Sequence, residues 1–141
     1  MAENNLRLYP NDIGLLICTY DISLKAALLE DDELEGKPAH IILRTAKGGL
    51  YEALAADLLS KRGHEALYFH RNESGTAEIE FLIENADGVI PIEIKAGEAK
   101  TKTLDRLMEK EDLKYGYKLS SGNVGVSGKK ITLPLYMAMF L

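Results

Sequence analysis

Apolar and polar residues alternate from Glu78 to Glu84, where Ile79, Phe81 and Ile83 interleave with Glu78, Glu80, Leu82 and Glu84. A second alternating run spans Val89 to Lys95, with Ile90, Ile92 and Ile94 set against Pro91, Glu93 and Lys95. Period-two patterning marks strands with one buried face. The Asp87-Gly88 pair between the runs suits a two-residue hairpin turn, whose central positions take positive φ. A turn centred there sets Phe81 opposite Ile94, Ile83 opposite Ile92, Leu82 opposite Glu93 and Glu80 opposite Lys95. One face of the hairpin is then apolar. The other carries Glu80, Glu93 and Lys95, with the two carboxylates on a diagonal roughly 7–8 Å apart at Cα. A one-residue slip would separate these groups.

The flanking text supplies the other elements. Leu6 to Tyr9 reads as a short strand, and Pro10-Asn11-Asp12 as a turn that opens a helix near Ile13. Ser23 to Leu29 has a helical pattern and leads into an acidic loop from Glu30 to Gly36. A stronger helix runs from about Lys47 to Arg62 and stops at Gly63. Leu50, Tyr51, Leu54, Ala55, Leu58 and Leu59 form its apolar arc, and Glu52 projects at the edge. Leu67 to His70 reads as a strand. Beyond the hairpin come a helix over 101–111 with Leu104, Leu107 and Met108 inward, then a strand over 115–119. Ser120 to Lys130 is a Gly- and Ser-rich loop, Ile131 to Leu133 is extended, and Pro134 starts an apolar helix over 135–141 that its composition would bury. From residue 47 the order helix, strand, strand, strand, helix, strand predicts an α/β fold with a mixed sheet flanked by helices. The 141 residues suit one domain, with 1–46 an N-terminal extension packed on a core over 47–141.

Composition narrows the class. Hydrophobic content of 46% and charged content of 28% are those of a globular protein, and no apolar run is long enough to span a bilayer. The N-terminus lacks the basic and apolar regions of a signal peptide. The lone Cys18 excludes an intrachain disulfide, suits a reducing cytoplasm and reads as a buried thiol. Net charge is −5 but unevenly spread. Residues 1–35 hold two basic and eight acidic groups, whereas 91–130 hold nine basic and six acidic, so phosphate contacts are confined to the second part. His40, His64 and His70 lack metal-ligand spacing.

The element order, with an acidic residue on the second strand and Glu-x-Lys on the third, resembles the PD-(D/E)XK nuclease superfamily. More closely, the chain resembles an uncharacterised domain found C-terminal to AAA+ ATPase modules in bacteria and archaea. The matching text is Lys47-Gly48-Gly49-Leu50-Tyr51-Glu52, Ala77 to Ile83, Pro91 to Gly97 and Leu133-Pro134-Leu135-Tyr136, with Leu8-Tyr9 and Asp12 to Leu16 near the N-terminus. The resemblance implies a restriction-endonuclease-like core and metal-dependent phosphodiester hydrolysis of DNA. In that reading Glu80 and Glu93, with the backbone carbonyl of Ile94, hold Mg²⁺ or Mn²⁺. Lys95 positions water or stabilises phosphorane charge, Glu52 reaches the ion directly or through water, and Lys100 and Lys102 contact phosphate.

The chain departs from the pattern twice. Glu80 stands where the family usually has Asp, and no phosphate-binding Gly-Lys-Ser/Thr loop is present, so an ATPase module would be a partner in cis or in trans. Two further readings stay open. The domain keeps the nuclease fold as a non-catalytic binding or regulatory module of an ATPase, with Glu80 and Lys95 a cross-strand ion pair worth about 0.2–1 kcal/mol. Alternatively, the apolar C-terminal segment makes a homo-oligomer interface.

Overall fold

The computed structural model describes residues 6–19, 38–72, 74–96 and 101–141. In chain order these form α1 (Ile13–Thr19), α2 (Pro38–Arg62), β1 (Tyr68–Arg71), β2 (Glu78–Asn85), β3 (Gly88–Lys95), α3 (Lys102–Lys110), β4 (Gly116–Ser120), β5 (Gly125–Ser127), β6 (Lys130–Pro134) and a 3₁₀ helix (Leu135–Phe140). The fold is α/β, as the pattern predicts. The six strands make one mixed sheet in the order β1-β2-β3-β4-β6-β5. β1, β2 and β3 meander antiparallel, β3, β4 and β6 run parallel, and β5 returns antiparallel on the edge.

Two apolar clusters place the helices on opposite faces. Ala55, Ala56 and Leu59 of α2 pack with Phe81, Ile83, Ile90, Ile92, Ile94 and Leu119, joined by Leu135 and Ala138 of the 3₁₀ helix. On the other face Leu104 and Met108 of α3 pack with Ile79, and Leu82 and Leu107 close around them. Gly116 is required by this second layer: a Cβ there would lie 2.9 Å from Leu104 Cδ1 and 3.0 Å from Pro91 Cγ. Pro91 is tolerated inside β3 because its missing N–H falls on the β4 side, where pairing starts only at Ile92–Tyr117.

Several local expectations change. The β2–β3 ladder pairs Phe81 with Ile92, Ile83 with Ile90 and Asn85 with Gly88, so Ala86 and Asp87 are the turn residues. Within the hairpin turn Gly88 alone takes positive φ, 103°, and no described non-glycine residue does. A turn with positive φ at both central positions is therefore excluded, and the glycine closes the hairpin as a flanking residue. Asp87 is held there by Lys114 at 2.8 Å and by the Tyr115 hydroxyl at 3.2 Å. The register moves by two relative to the sequence expectation, which leaves the paired side chains on their predicted faces; Ile79, beyond the ladder, packs instead on the α3 side, where the register of β2 on β1 shifts.

The helix expected from Lys47 begins at Pro38, with Gly48 and Gly49 inside it despite their poor propensity. Pro suits a first helical position because its missing N–H is unneeded there. Leu6 to Tyr9 is not a strand; Tyr9 instead packs on Phe81 with ring centroids 5.5 Å apart. The Gly- and Ser-rich loop contains β5, which turns into β6 through Gly128 at φ 58°. Cys18 is exposed rather than buried, because α1 buries none of its residues. In the C-terminal segment Leu135 and Ala138 are buried, whereas Tyr136, Met139 and Phe140 are exposed. A one-sided 3₁₀ helix can bury only part of a uniformly apolar stretch. The patterns read at Ser23–Leu29 and Glu30–Gly36 lie outside the described residues.

Candidate functional site

Glu80 and Glu93 come together through Lys95 where the β2–β3 ladder ends. The β2–β3 ladder ends at Phe81–Ile92, and the pairing of β1 with β2 shifts register between Tyr68 and His70. Beyond this fork the Glu80 side chain does what a backbone carbonyl would do: its Oε2 accepts the Ile94 N–H at 3.0 Å. In a strand the N–H and C=O of one residue turn to the same side. The Ile94 carbonyl therefore also faces the fork.

Glu93 is 2% exposed and engages both oxygens. Its Oε2 accepts the Leu104 N–H at 3.0 Å, so β3 caps the first turn of α3, whose own Thr101 makes no side-chain cap. Thr101 instead accepts from Lys130, which also pairs with Asp105 at 2.7 Å. Lys95 links the two carboxylates, with Nζ 2.9 Å from Glu93 Oε1 and 3.6 Å from Glu80 Oε1. The two carboxylates repel, and the ammonium between them offsets that repulsion. Burial pushes the Glu80 carboxyl above its ordinary value, against the pull of Lys95 and the Ile94 N–H. For Lys95, burial lowers the pKa, but the hydrogen bond to Glu93 and the charges of Glu80 and Glu93 prevail and raise it. Lys95 thus stays protonated at neutral pH and serves as a charge and donor, not as a base.

The stretch from residue 47 to 137 matches the family described as Domain of unknown function (DUF4143). This chain belongs to the DUF4143 family. No curated protein and no solved structure matches it. The matched span of the DUF4143 domain starts within α2 and ends in the 3₁₀ helix, so it holds the whole sheet and the Glu80–Glu93–Lys95 cluster.

The other expected site residues of the DUF4143 domain divide. Glu52, on α2, has different partners: Arg7 at 3.6 Å and the Tyr9 hydroxyl at 3.4 Å. Arg7 also pairs with Glu78 and lies over the Phe69 ring, 4.8 Å from its centroid. The N-terminal strap thereby engages the residue that was expected to reach an ion. Lys102 is exposed on the first turn of α3, two residues before the N–H that Glu93 accepts, and Lys100 lies outside the described residues. His64 is half-buried and His70 exposed.

Two further residues join the cluster through a register that sequence reading does not reach. The parallel β3–β4 pairing sets Lys118 beside Glu93 and Ser120 beside Lys95. Gly116 faces α3, so Lys118 and Ser120, two and four residues on, share that face of the sheet with Glu93 and Lys95. Their spacing in the strand, polar at every second position from Gly116, is the signal present in the text. Choosing their neighbour requires knowing that β4 runs parallel to β3.

The donors at the fork are hard oxygens. Among the described residues no group of three or more His, Cys, Asp or Glu side chains could hold a metal, which is unlike a zinc site. Two carboxylates and the Ile94 carbonyl, all hard oxygens at one fork, fit Mg²⁺ or Mn²⁺, which keep several waters and need only one or two carboxylates.

Proposed function

We propose that this DUF4143 domain is a PD-(D/E)XK-type nuclease domain that hydrolyses DNA phosphodiesters with Mg²⁺ or Mn²⁺ and works with an AAA+ ATPase module in cis or in trans. The observation that carries the proposal is the fork itself, where Lys95 joins the Glu80 and Glu93 carboxylates and the Ile94 N–H turns to Glu80. When bound, the ion polarises the phosphodiester and lowers the pKa of the attacking water. Glu80 and Glu93 would hold it. Lys95 supplies a fixed positive charge where negative charge grows on the phosphoryl oxygens. Its 26% exposure leaves the ammonium within reach of a substrate. Lys102, and Lys118 beside Glu93, add positive charge on the same side. DNA as substrate and an ATPase as partner follow from the resemblance alone.

Manganese titration followed by calorimetry tests the reading. Binding is expected to tighten as pH rises above the ordinary carboxyl range. The sign follows from Glu80: its raised pKa keeps a proton on the site that the cation must displace. No heat at millimolar Mn²⁺ across that range would sink the hydrolase reading. A second reading, a non-catalytic binding module, is favoured by the same Glu93 oxygens, one capping α3 and the other paired with Lys95. It expects no heat.

Self-association forms a separate part of the proposal, resting on exposed Tyr136, Met139 and Phe140 in the 3₁₀ helix. Sedimentation is expected to show mass increasing with concentration, and Phe140→Ser to abolish the increase. A monomer at all concentrations would count against it.

A further inference from the structure

A cavity of about 440 Å³ opens between the N-terminal strap at 6–11, the C-terminal half of α2 and strands β1 and β2. That volume lies in the range of small-ligand sites. One of its lining residues is anomalous. Asp57 is 4% exposed, and Lys61 pairs with its Oδ2 at 2.7 Å, yet its buried Oδ1 has no hydrogen-bond partner. A buried acceptor left unpaired is destabilising. Asp57 therefore gives the fold little and leaves one strong acceptor to be satisfied.

The rest of the cavity specifies what would satisfy it. Tyr68, 67% exposed, and Phe69 give it aromatic walls, and Leu67 adds apolar surface. Asp57, Glu65 and Glu80 bring three carboxylates against the single guanidinium of Arg7, which is already paired with Glu52 and Glu78. Such a lining repels phosphate and accepts N–H donors. Ser60 and His64 add hydrogen-bonding groups at the rim. A flat aromatic body that presents an amino group meets all of these requirements. We propose that this cavity binds an amino-bearing nucleobase, with Asp57 Oδ1 accepting from the exocyclic amine and Tyr68 offering a stacking surface.

Glu80 lines the same cavity. A base seated there would lie against the strand that carries the proposed cleavage site, so the cavity is suited to a base of a bound strand as well as to a free nucleoside. Only this choice of source rests on the nuclease reading; the cavity's chemistry does not.

The test uses the full chain in chelator, so that failure of metal binding cannot affect it. Adenosine and purine riboside, which lacks the amino group, are titrated while backbone amide shifts are followed by NMR. Adenosine is expected to shift the amides of Asp57, Ser60, His64 and Tyr68, and purine riboside to bind about tenfold more weakly, the size of one hydrogen bond to a charged acceptor. Asp57→Asn keeps its one oxygen on Lys61 and turns the amide NH₂ to the cavity, so it is expected to erase that tenfold preference while its melting temperature stays level or rises. A parallel arm uses the dinucleotides of adenosine and purine riboside. Amino preference in both arms points to a nucleoside or strand base, and in the dinucleotide arm alone to a strand base only. Absence of the preference in both arms, with wild-type protein at millimolar ligand, overturns the proposal whether or not the variant folds.

Discussion

Lys95→Ala is expected to lower metal-stimulated phosphodiester cleavage by about 10²–10³-fold, the cost typical of removing one preorganised donor from a developing anion. The assay compares wild type with the variant on single- and double-stranded DNA and RNA in Mg²⁺ or Mn²⁺. The substitution also leaves Glu80 and Glu93 without the ammonium that separates their charges. Manganese affinity is therefore expected to hold or increase in Lys95→Ala while cleavage falls. That opposite movement identifies Lys95 as acting on the substrate rather than on the ion. Activity that survives the substitution would assign the cleavage to another site or another protein.

Glu93→Ala is expected to destabilise the domain by about 2–4 kcal/mol, measured by denaturant unfolding. Three costs combine. The first turn of α3 loses its cap at Leu104, an effect of about 0.5–2 kcal/mol. Lys95 keeps only the longer contact to Glu80, and breaking a buried pair is expensive, here moderated by the partial exposure of Lys95. Truncation of a side chain only 2% exposed leaves a void beneath the helix. Glu93→Gln retains an acceptor for the Leu104 N–H and is expected to recover about half of the loss. Equal losses in the two variants would mean that charge, and not capping, decides the role of Glu93. Both readings of the function need this carboxylate, so its stability effect does not depend on which of them holds.

The two strands of the site were legible because alternation fixes faces. Glu80, Glu93 and Lys95 share a side for any even shift of the hairpin, which is why the misplaced turn at Asp87-Gly88 left them together. The misplacement has a local cause. Asp-Gly favours positive φ at both residues in the text, but only Gly88 adopts it, and Asp87 is anchored by Lys114 and Tyr115 from a distant segment. Glu52 shows the limit of helical arithmetic. Its place at the edge of an apolar arc was readable, whereas its engagement by Arg7 and Tyr9 depends on how the N-terminal strap crosses α2. Cys18 and Phe140 mark a similar limit. Apolar neighbours suggest burial, but burial depends on which elements dock, and α1 docks without burying any residue.

The sequence by itself determined the α/β class, the order of the core elements and the shared face of Glu80, Glu93 and Lys95. Those follow from periods of two and 3.6 residues, which are properties of the chain alone. Tertiary structure decided the rest of the site: that Glu80 accepts the Ile94 N–H, that Glu93 caps α3, that Lys118 and Ser120 stand beside the cluster, and that Asp57 keeps an unpaired oxygen in a cavity. Each of these depends on the register between strands, on the direction of a crossover or on the docking of a helix. Such contacts join residues far apart in sequence, and no local pattern encodes which partner is met.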